Sequence, residues 1–152
     1  MTLPWLRQIW LPLLAAMVST LFASSAQAQS PWKTECKVDK MTEKTRCALS
    51  GQATDTVTLE PITVNFENNT LTLSGSGPLR RARLRVDGGN AIVMTQCVAQ
   101  SCFVPGNLTS SVLRQLRTGS MVLVEVTQTD GKTIGPMDLP LGGFEAGIQQ
   151  IR

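Results

Sequence analysis

Four cysteines in two close pairs constrain the fold of this chain more than any other feature of its sequence. Cys36 and Cys47 form the first pair, and Cys97 and Cys102 form the second. Such pairs can hold a metal ion, exchange electrons with another protein or form disulfide bonds, and each role predicts a different function. The compartment decides between these roles, because thiols pair in oxidising compartments and stay reduced in the cytosol.

The amino-terminal residues have the features of a secretory signal peptide. An apolar run from Ile9 to Phe22 is followed by the small-residue triplet Ala26-Gln27-Ala28. The run is shorter than the roughly 20 apolar residues that a membrane-spanning helix needs, so we interpret residues 1–28 as a signal peptide. The sequence therefore predicts an exported protein that is periplasmic, associated with the outer membrane or secreted, with one domain at residues 29–152.

In an exported chain, an even number of cysteines is typical of disulfide bonds. Four cysteines permit three connectivities, and we predict Cys36–Cys47 and Cys97–Cys102 because the members of each pair are close in sequence. The polar stretch from Asp39 to Thr45 can reverse the chain and place the first two cysteines opposite each other on antiparallel strands. On the chain-entropy account, the two bridges stabilise the fold by about 3 and about 2 kcal/mol.

Metal binding and redox chemistry fit these spacings less well. Structural zinc sites place their cysteines closer together than Cys36 and Cys47. Thiol oxidoreductases have a shorter Cys-X-X-Cys spacer at a helix N-terminus, where the helix dipole lowers the thiolate pKa. We predict no metal and no cofactor, and we keep a thiol-dependent redox or stress protein that uses Cys97 and Cys102 as the alternative function.

The rest of the chain alternates in the manner of β-strands. Segments rich in β-branched residues are separated by turn-forming pairs, and about eight short strands with such turns predict a mainly β fold. We expect an antiparallel β-sandwich or barrel-like domain with one or two short helices. Besides the two strands of the Cys36–Cys47 hairpin, the predicted strands lie at 56–66, 70–77, 81–86, 91–96, 120–129 and 132–139, with turns at Asn68-Asn69, 87–90 and Asp130-Gly131.

Two short helices complete the predicted fold. The run SSVLRQLRTG, residues 110–119, has an apolar stripe of Val112, Leu113 and Leu116. Thr109 or Ser110 is the expected N-cap, and Gly119 the expected end. The last residues, GGFEAGIQQIR, predict a further helical turn or two.

A basic stripe lies in the segment RARLRV, residues 81–86, where arginines alternate with apolar residues. Since successive side chains of a strand point to opposite faces, we expect Ala82, Leu84 and Val86 to face the core and the arginines to face solvent together. Three adjacent cations repel each other unless an anion screens them. Guanidinium groups bind phosphate and carboxylate well, so one interpretation of the stripe is a site for an anionic partner, such as anionic lipid, lipopolysaccharide or an acidic protein surface. The candidate anion-binding residues are Arg80, Arg81, Arg83 and Arg85.

The other interpretation, which the sequence alone favours, is a solvated strand face whose charges discourage edge-to-edge aggregation. Other sequence signals for chemistry are weak. The chain contains no histidine and no tyrosine, which removes common general bases, and its carboxylates are scattered without the spacing of a paired acid and base. The formal net charge of +3 does not indicate general nucleic-acid binding.

Several landmarks occur in a fixed order along the chain: Trp32, Cys36, Cys47, Val86-Asp87-Gly88, Cys97, Cys102-Phe103, the 113–119 helix and the closing motif LGGFEA at 141–146. Their order resembles the invasion-associated locus B family of exported bacterial proteins. The resemblance implies a small disulfide-stabilised β-sandwich in the periplasm or cell envelope of a Gram-negative bacterium, without a known enzyme activity or cofactor. We therefore expect a non-catalytic protein that binds a macromolecular or membrane-surface partner, with a role in host-cell invasion or envelope maintenance.

Overall fold

The computed structural model describes residues 30–151. The predicted signal peptide, residues 1–28, lies outside the described residues, as do Gln29 and Arg152. The described chain forms ten strands and two helices. In chain order these are β1 (Trp32–Val38), β2 (Thr45–Thr54), β3 (Pro61–Glu67), β4 (Thr70–Ser74), β5 (Leu79–Val86), β6 (Ile92–Met94), β7 (Gln96–Val98), β8 (Ser101–Phe103), α1 (Gly106–Thr118), β9 (Met121–Gln128), β10 (Thr133–Pro140) and α2 (Phe144–Gln150).

The strands form two antiparallel sheets packed on a shared core, so the prediction of a mainly β fold with two short helices is confirmed. The larger sheet has the strand order β1-β2-β3-β4-β8-β7, and the smaller sheet has the order β10-β9-β5-β6. Between the sheets, β2 contacts β10 while β5 contacts β7 and β8. The core is apolar because strands from both sheets point alternate side chains inward, among them Ile62, Val64 and Phe66 of β3 and Val122, Val124 and Val126 of β9.

The predicted turns at Asn68-Asn69, 87–90 and Asp130-Gly131 each connect two paired strands, as expected. Two predicted strands are too long: the strand predicted at 70–77 ends at Ser74, and the one predicted at 56–66 begins only at Pro61. Residues 56–60 form the turn between β2 and β3, although their β-branched side chains favour a strand. The Asp55 carboxylate explains the difference, because its Oδ1 accepts the backbone N–H groups of Val57 at 2.7 Å and Thr58 at 2.8 Å.

Helix α1 begins earlier than predicted. Its N-cap is Pro105, with no side-chain capping hydrogen bond, and neither Thr109 nor Ser110 caps it. Proline suits a helix start because its fixed φ is compatible with the helix and the first N–H groups have no helical partner. The helix ends before Gly119 as predicted, and Val112 and Leu116 of the predicted stripe are buried.

Candidate functional site

Strand β5 presents the basic stripe to solvent on the outer face of the four-stranded sheet. Ala82, Leu84 and Val86 are buried, and all four arginines of the segment are exposed. The predicted alternation is therefore confirmed between residues 81 and 86. Before it, a β-bulge against β9 between Leu79 and Arg81 adds one residue, which lets Arg80 and Arg81 both be exposed while Leu79 stays buried.

One arginine of the stripe has a partner that the sequence did not predict. Arg83 lies opposite Glu125 of β9, and its Nε and Nη2 donate to Oε1 of Glu125 at 2.8 and 2.5 Å. The expected row of three uncompensated cations is therefore corrected to a row with one internal ion pair. No local pattern could reveal it, since 42 residues separate the partners and only the register of β5 against β9 brings them together.

The other stripe arginines keep their donors available. Across β9, Arg81 is opposite the buried Thr127 and Arg85 is opposite Leu123. Among residues 30–151, neither of these two arginines nor Arg80 takes part in an ion pair. A guanidinium has five N–H donors in a planar fork that matches phosphate or carboxylate, so the face retains strong capacity for an anion.

A groove runs beside these arginines on the same face. Its volume is about 230 Å³, smaller than the pockets of about 300 Å³ or more that enclose whole small molecules. Cationic and apolar side chains meet in it, which suits a phosphate or carboxylate attached to an apolar group. The groove is lined by Arg83, Leu84, Arg85, Ala91, Leu123, Val124, Glu125 and Pro136.

The four cysteines form the two predicted disulfides. Cys36 bonds to Cys47 across β1 and β2, and Cys97 bonds to Cys102 across β7 and β8. No cysteine is free, and Cys102 is fully buried. Both bonds thus join neighbouring strands, an arrangement consistent with a structural role and with folding in an oxidising, exported environment.

Other kinds of site are not found in the described part of the chain. Within residues 30–151, no group of three or more histidine, cysteine or acidic residues is placed to hold a metal ion. Across the same range, none of the helices is long and apolar enough to span a bilayer. The four exposed arginines of β5, Arg80, Arg81, Arg83 and Arg85, together with the groove beside them, form the candidate site, which we call the arginine face.

Comparison with protein families gives a match over the carboxyl-terminal part of the chain. No curated protein and no solved structure matches the chain. The family described as Invasion associated locus B (IalB) protein matches residues 79–152. The match begins at the first residue of β5 and includes the arginine face, the second disulfide and both helices. Over these residues, from β5 to the end of α2, the resemblance seen in the sequence is confirmed, and this part of the chain matches the invasion associated locus B family.

Proposed function

We propose that this protein is a non-catalytic component of the bacterial cell envelope, in the periplasm or at the outer membrane, that binds a phosphate-bearing surface through its arginine face. The carrying observation is the alignment of exposed arginines on β5, of which only Arg83 has a carboxylate partner among the described residues. The family match over residues 79–152 and two cross-strand disulfides support an envelope location. A role in host-cell invasion or envelope maintenance would act through this binding.

The geometry supports a surface ligand more than an enclosed one. The groove is small, and Arg81 lies beyond its lining residues while still projecting from the same strand. An extended partner such as a lipid headgroup layer can contact all the arginines of the face at once, whereas a single small anion reaches only neighbouring ones. Phosphate is the shared chemistry, and both anionic phospholipid and lipopolysaccharide carry it.

The test removes Arg81 and Arg85, which lie on either side of Arg83 along β5 and form no ion pair among the described residues. A basic residue near an anionic membrane contributes about 1 kcal/mol, so the double substitution Arg81→Gln with Arg85→Gln should weaken binding to phosphatidylglycerol vesicles by roughly 10-fold to 30-fold at low salt. Cosedimentation with vesicles measures this directly. Parallel arms with lipopolysaccharide and with inorganic phosphate as competitor identify which source of phosphate binds best.

A matched control removes the same charge elsewhere. Lys33 and Arg114 are exposed and form no ion pair among the described residues, so Lys33→Gln with Arg114→Gln changes net charge equally without touching β5. We expect this control to bind nearly as well as the unchanged protein. Equal losses in the two double variants, or no loss in either, would reduce the arginine face to a solubilising surface.

A further inference from the structure

The hairpin formed by β1 and β2 extends beyond the hydrophobic core. None of residues 37–46 belongs to the buried core of the described chain. Near its tip, the side chain of Val38 is 62% exposed and that of Met41 is 93% exposed. Single exposed apolar residues are ordinary. These two, however, lie on a hairpin whose backbone is held by turn hydrogen bonds and by a disulfide bond.

The turn at the tip is fixed by its own hydrogen bonds. Asp39 Oδ1 accepts the N–H groups of Met41 at 2.9 Å and Thr42 at 3.2 Å, and the Asp39 N–H donates to the Lys44 carbonyl at 2.9 Å. Those two backbone donors lower the pKa of the Asp39 carboxyl, with a smaller contribution from the Arg46 cation. The turn therefore holds Met41 at the apex in a defined conformation.

The Cys36–Cys47 bond takes the place of core packing for this element. A two-stranded hairpin without a packed face is marginally stable in water. The bond closes the hairpin where β1 and β2 leave the core, with only two further residue pairs, Lys37 with Arg46 and Val38 with Thr45, before the turn. A tip ordered in advance loses less entropy when it meets a partner.

The charge of the tip identifies the kind of partner. Residues 37–46 include four basic side chains against two acidic ones. Asp39 is already engaged by Arg46, with Asp39 Oδ2 at 3.5 Å from Nη2, which leaves three lysines against one exposed carboxylate, Glu43, and so a net positive tip. The turn at residues 55–60 also exposes apolar side chains, Val57 at 88%, yet it has two acidic residues and no basic one. The three lysines are Lys37, Lys40 and Lys44, all exposed.

We propose that the β1–β2 hairpin tip is a docking element for an anionic phospholipid bilayer. Met41 enters the headgroup region, Val38 lies at its boundary, and the three lysines contact lipid phosphates. Apolar side chains flanked by lysine are the combination that favours the membrane interface, because the apolar group gains from leaving water while the cations remain beside the headgroups. The hairpin and the arginine face belong to different sheets, so substitutions can test each surface separately.

The position of the tip can be measured with a fluorescent reporter at the apex. In the purified exported protein, Met41→Trp places an indole at the tip while the native Trp32 stays buried. We expect a blue shift of the M41W emission on vesicles that contain phosphatidylglycerol and none on vesicles of phosphatidylcholine alone. The control is Val57→Trp, at a similarly exposed position in the acidic turn, and its emission should not change. A shift of equal size in V57W, no shift in M41W, or an equal shift on neutral vesicles would each overturn the proposal.

Binding strength gives a second, independent readout. Burying most of a methionine side chain is worth about a tenfold change in affinity or more, so Met41→Gln should weaken vesicle binding by about that factor. Val57→Gln should have no effect, and unchanged binding of M41Q would overturn the proposal. Repeating the M41W measurement with Arg81→Gln and Arg85→Gln separates the two surfaces. A retained blue shift shows that the tip inserts even where the arginine face contributes nothing.

Discussion

At the residue scale, Trp32 connects the beginning and the end of the described chain. Its indole Nε1–H donates to the Pro140 carbonyl at 2.8 Å, and its ring meets that of Phe144 edge to face at 4.7 Å between centroids. Both side chains are buried, as is usual for large aromatic residues. Strand β1 is thereby attached to the last strand and the last helix, which a marginal edge strand requires.

Gly51 provides the space that Trp32 occupies. It lies opposite Trp32 in the β1–β2 register, and a Cβ at this position would lie 2.7 Å from the indole ring. We predict that Gly51→Ala lowers the free energy of unfolding by about 1 to 3 kcal/mol, because the ring must move within a packed core. Chemical denaturation measures the change. The control is Gly106→Ala at the start of α1, where a Cβ would meet no atom within 4 Å. An equal effect at both positions would contradict this account.

The same residues show the limit of sequence reasoning at this scale. Large aromatic side chains are buried in most contexts, so the burial of Trp32 and Phe144 could be predicted from their identity. The need for glycine at position 51, and the Arg83–Glu125 ion pair, depend on which residues lie opposite each other across strands. Register is set by the pairing of whole strands and leaves no signal near either residue.

At the scale of elements, local chemistry explains both the successes and the errors. The Asn68-Asn69 and Asp130-Gly131 turns were predictable because few residues tolerate their backbone conformations, and Asn68, Asn69 and Gly131 do have positive φ. The short strands β7 and β8 were missed because each has only three residues, too few for a period to appear. Their hairpin contains the second disulfide, so the cysteine spacing was the available clue.

The two disulfides should differ in what their removal costs. Replacing Cys36 and Cys47 with alanine should destabilise the protein by about 3 kcal/mol or less, mainly by loosening an exposed hairpin. Replacing Cys97 and Cys102 removes about 2 kcal/mol of chain-entropy stabilisation and also leaves a void at the buried Cys102, so the total cost should be the larger of the two. Denaturation of both double variants gives the totals.

Amide hydrogen exchange locates the effect of each bond. The first variant should lose protection only in the hairpin, at residues 37–46, and the second should lose it across neighbouring core strands. Global loss of protection in the Cys36→Ala, Cys47→Ala protein would show that the hairpin supports the core more than its exposure implies.

At the scale of the whole molecule, the β2–β3 turn links the two sheets through carboxylates. Asp55 accepts the Gly135 N–H of β10 at 3.4 Å, and Glu60 pairs with Lys132 at 2.7 Å. These contacts join segments about 70 to 80 residues apart in the chain. The sequence indicated a sandwich but not this junction, since it arises only after both sheets have formed.

Because the junction contains two carboxylates, the free energy of unfolding should depend on pH. Hydrogen bonds from the Thr58 and Val57 N–H groups lower the pKa of Asp55 below its usual 3.8, and Lys132 lowers the pKa of Glu60 below its usual 4.5. A lowered folded-state pKa means that the ionised form stabilises the fold above the unfolded-state pKa, and that this stability is lost as pH falls through the folded-state value. We therefore predict a loss of stability below about pH 4.

Asparagine at position 55 tests this dependence, because its side-chain oxygen can still accept the Val57 and Thr58 N–H groups but does not titrate. The Asp55→Asn protein should lose less stability than the unchanged protein when urea unfolding is compared between about pH 5 and about pH 3. Glu35→Gln is the control, since Glu35 is an exposed carboxylate on β1 that forms no ion pair within residues 30–151, and its acid sensitivity should match that of the unchanged protein. If D55N and the unchanged protein lose stability equally, ionisation of the Asp55 carboxylate does not account for the loss of stability at low pH.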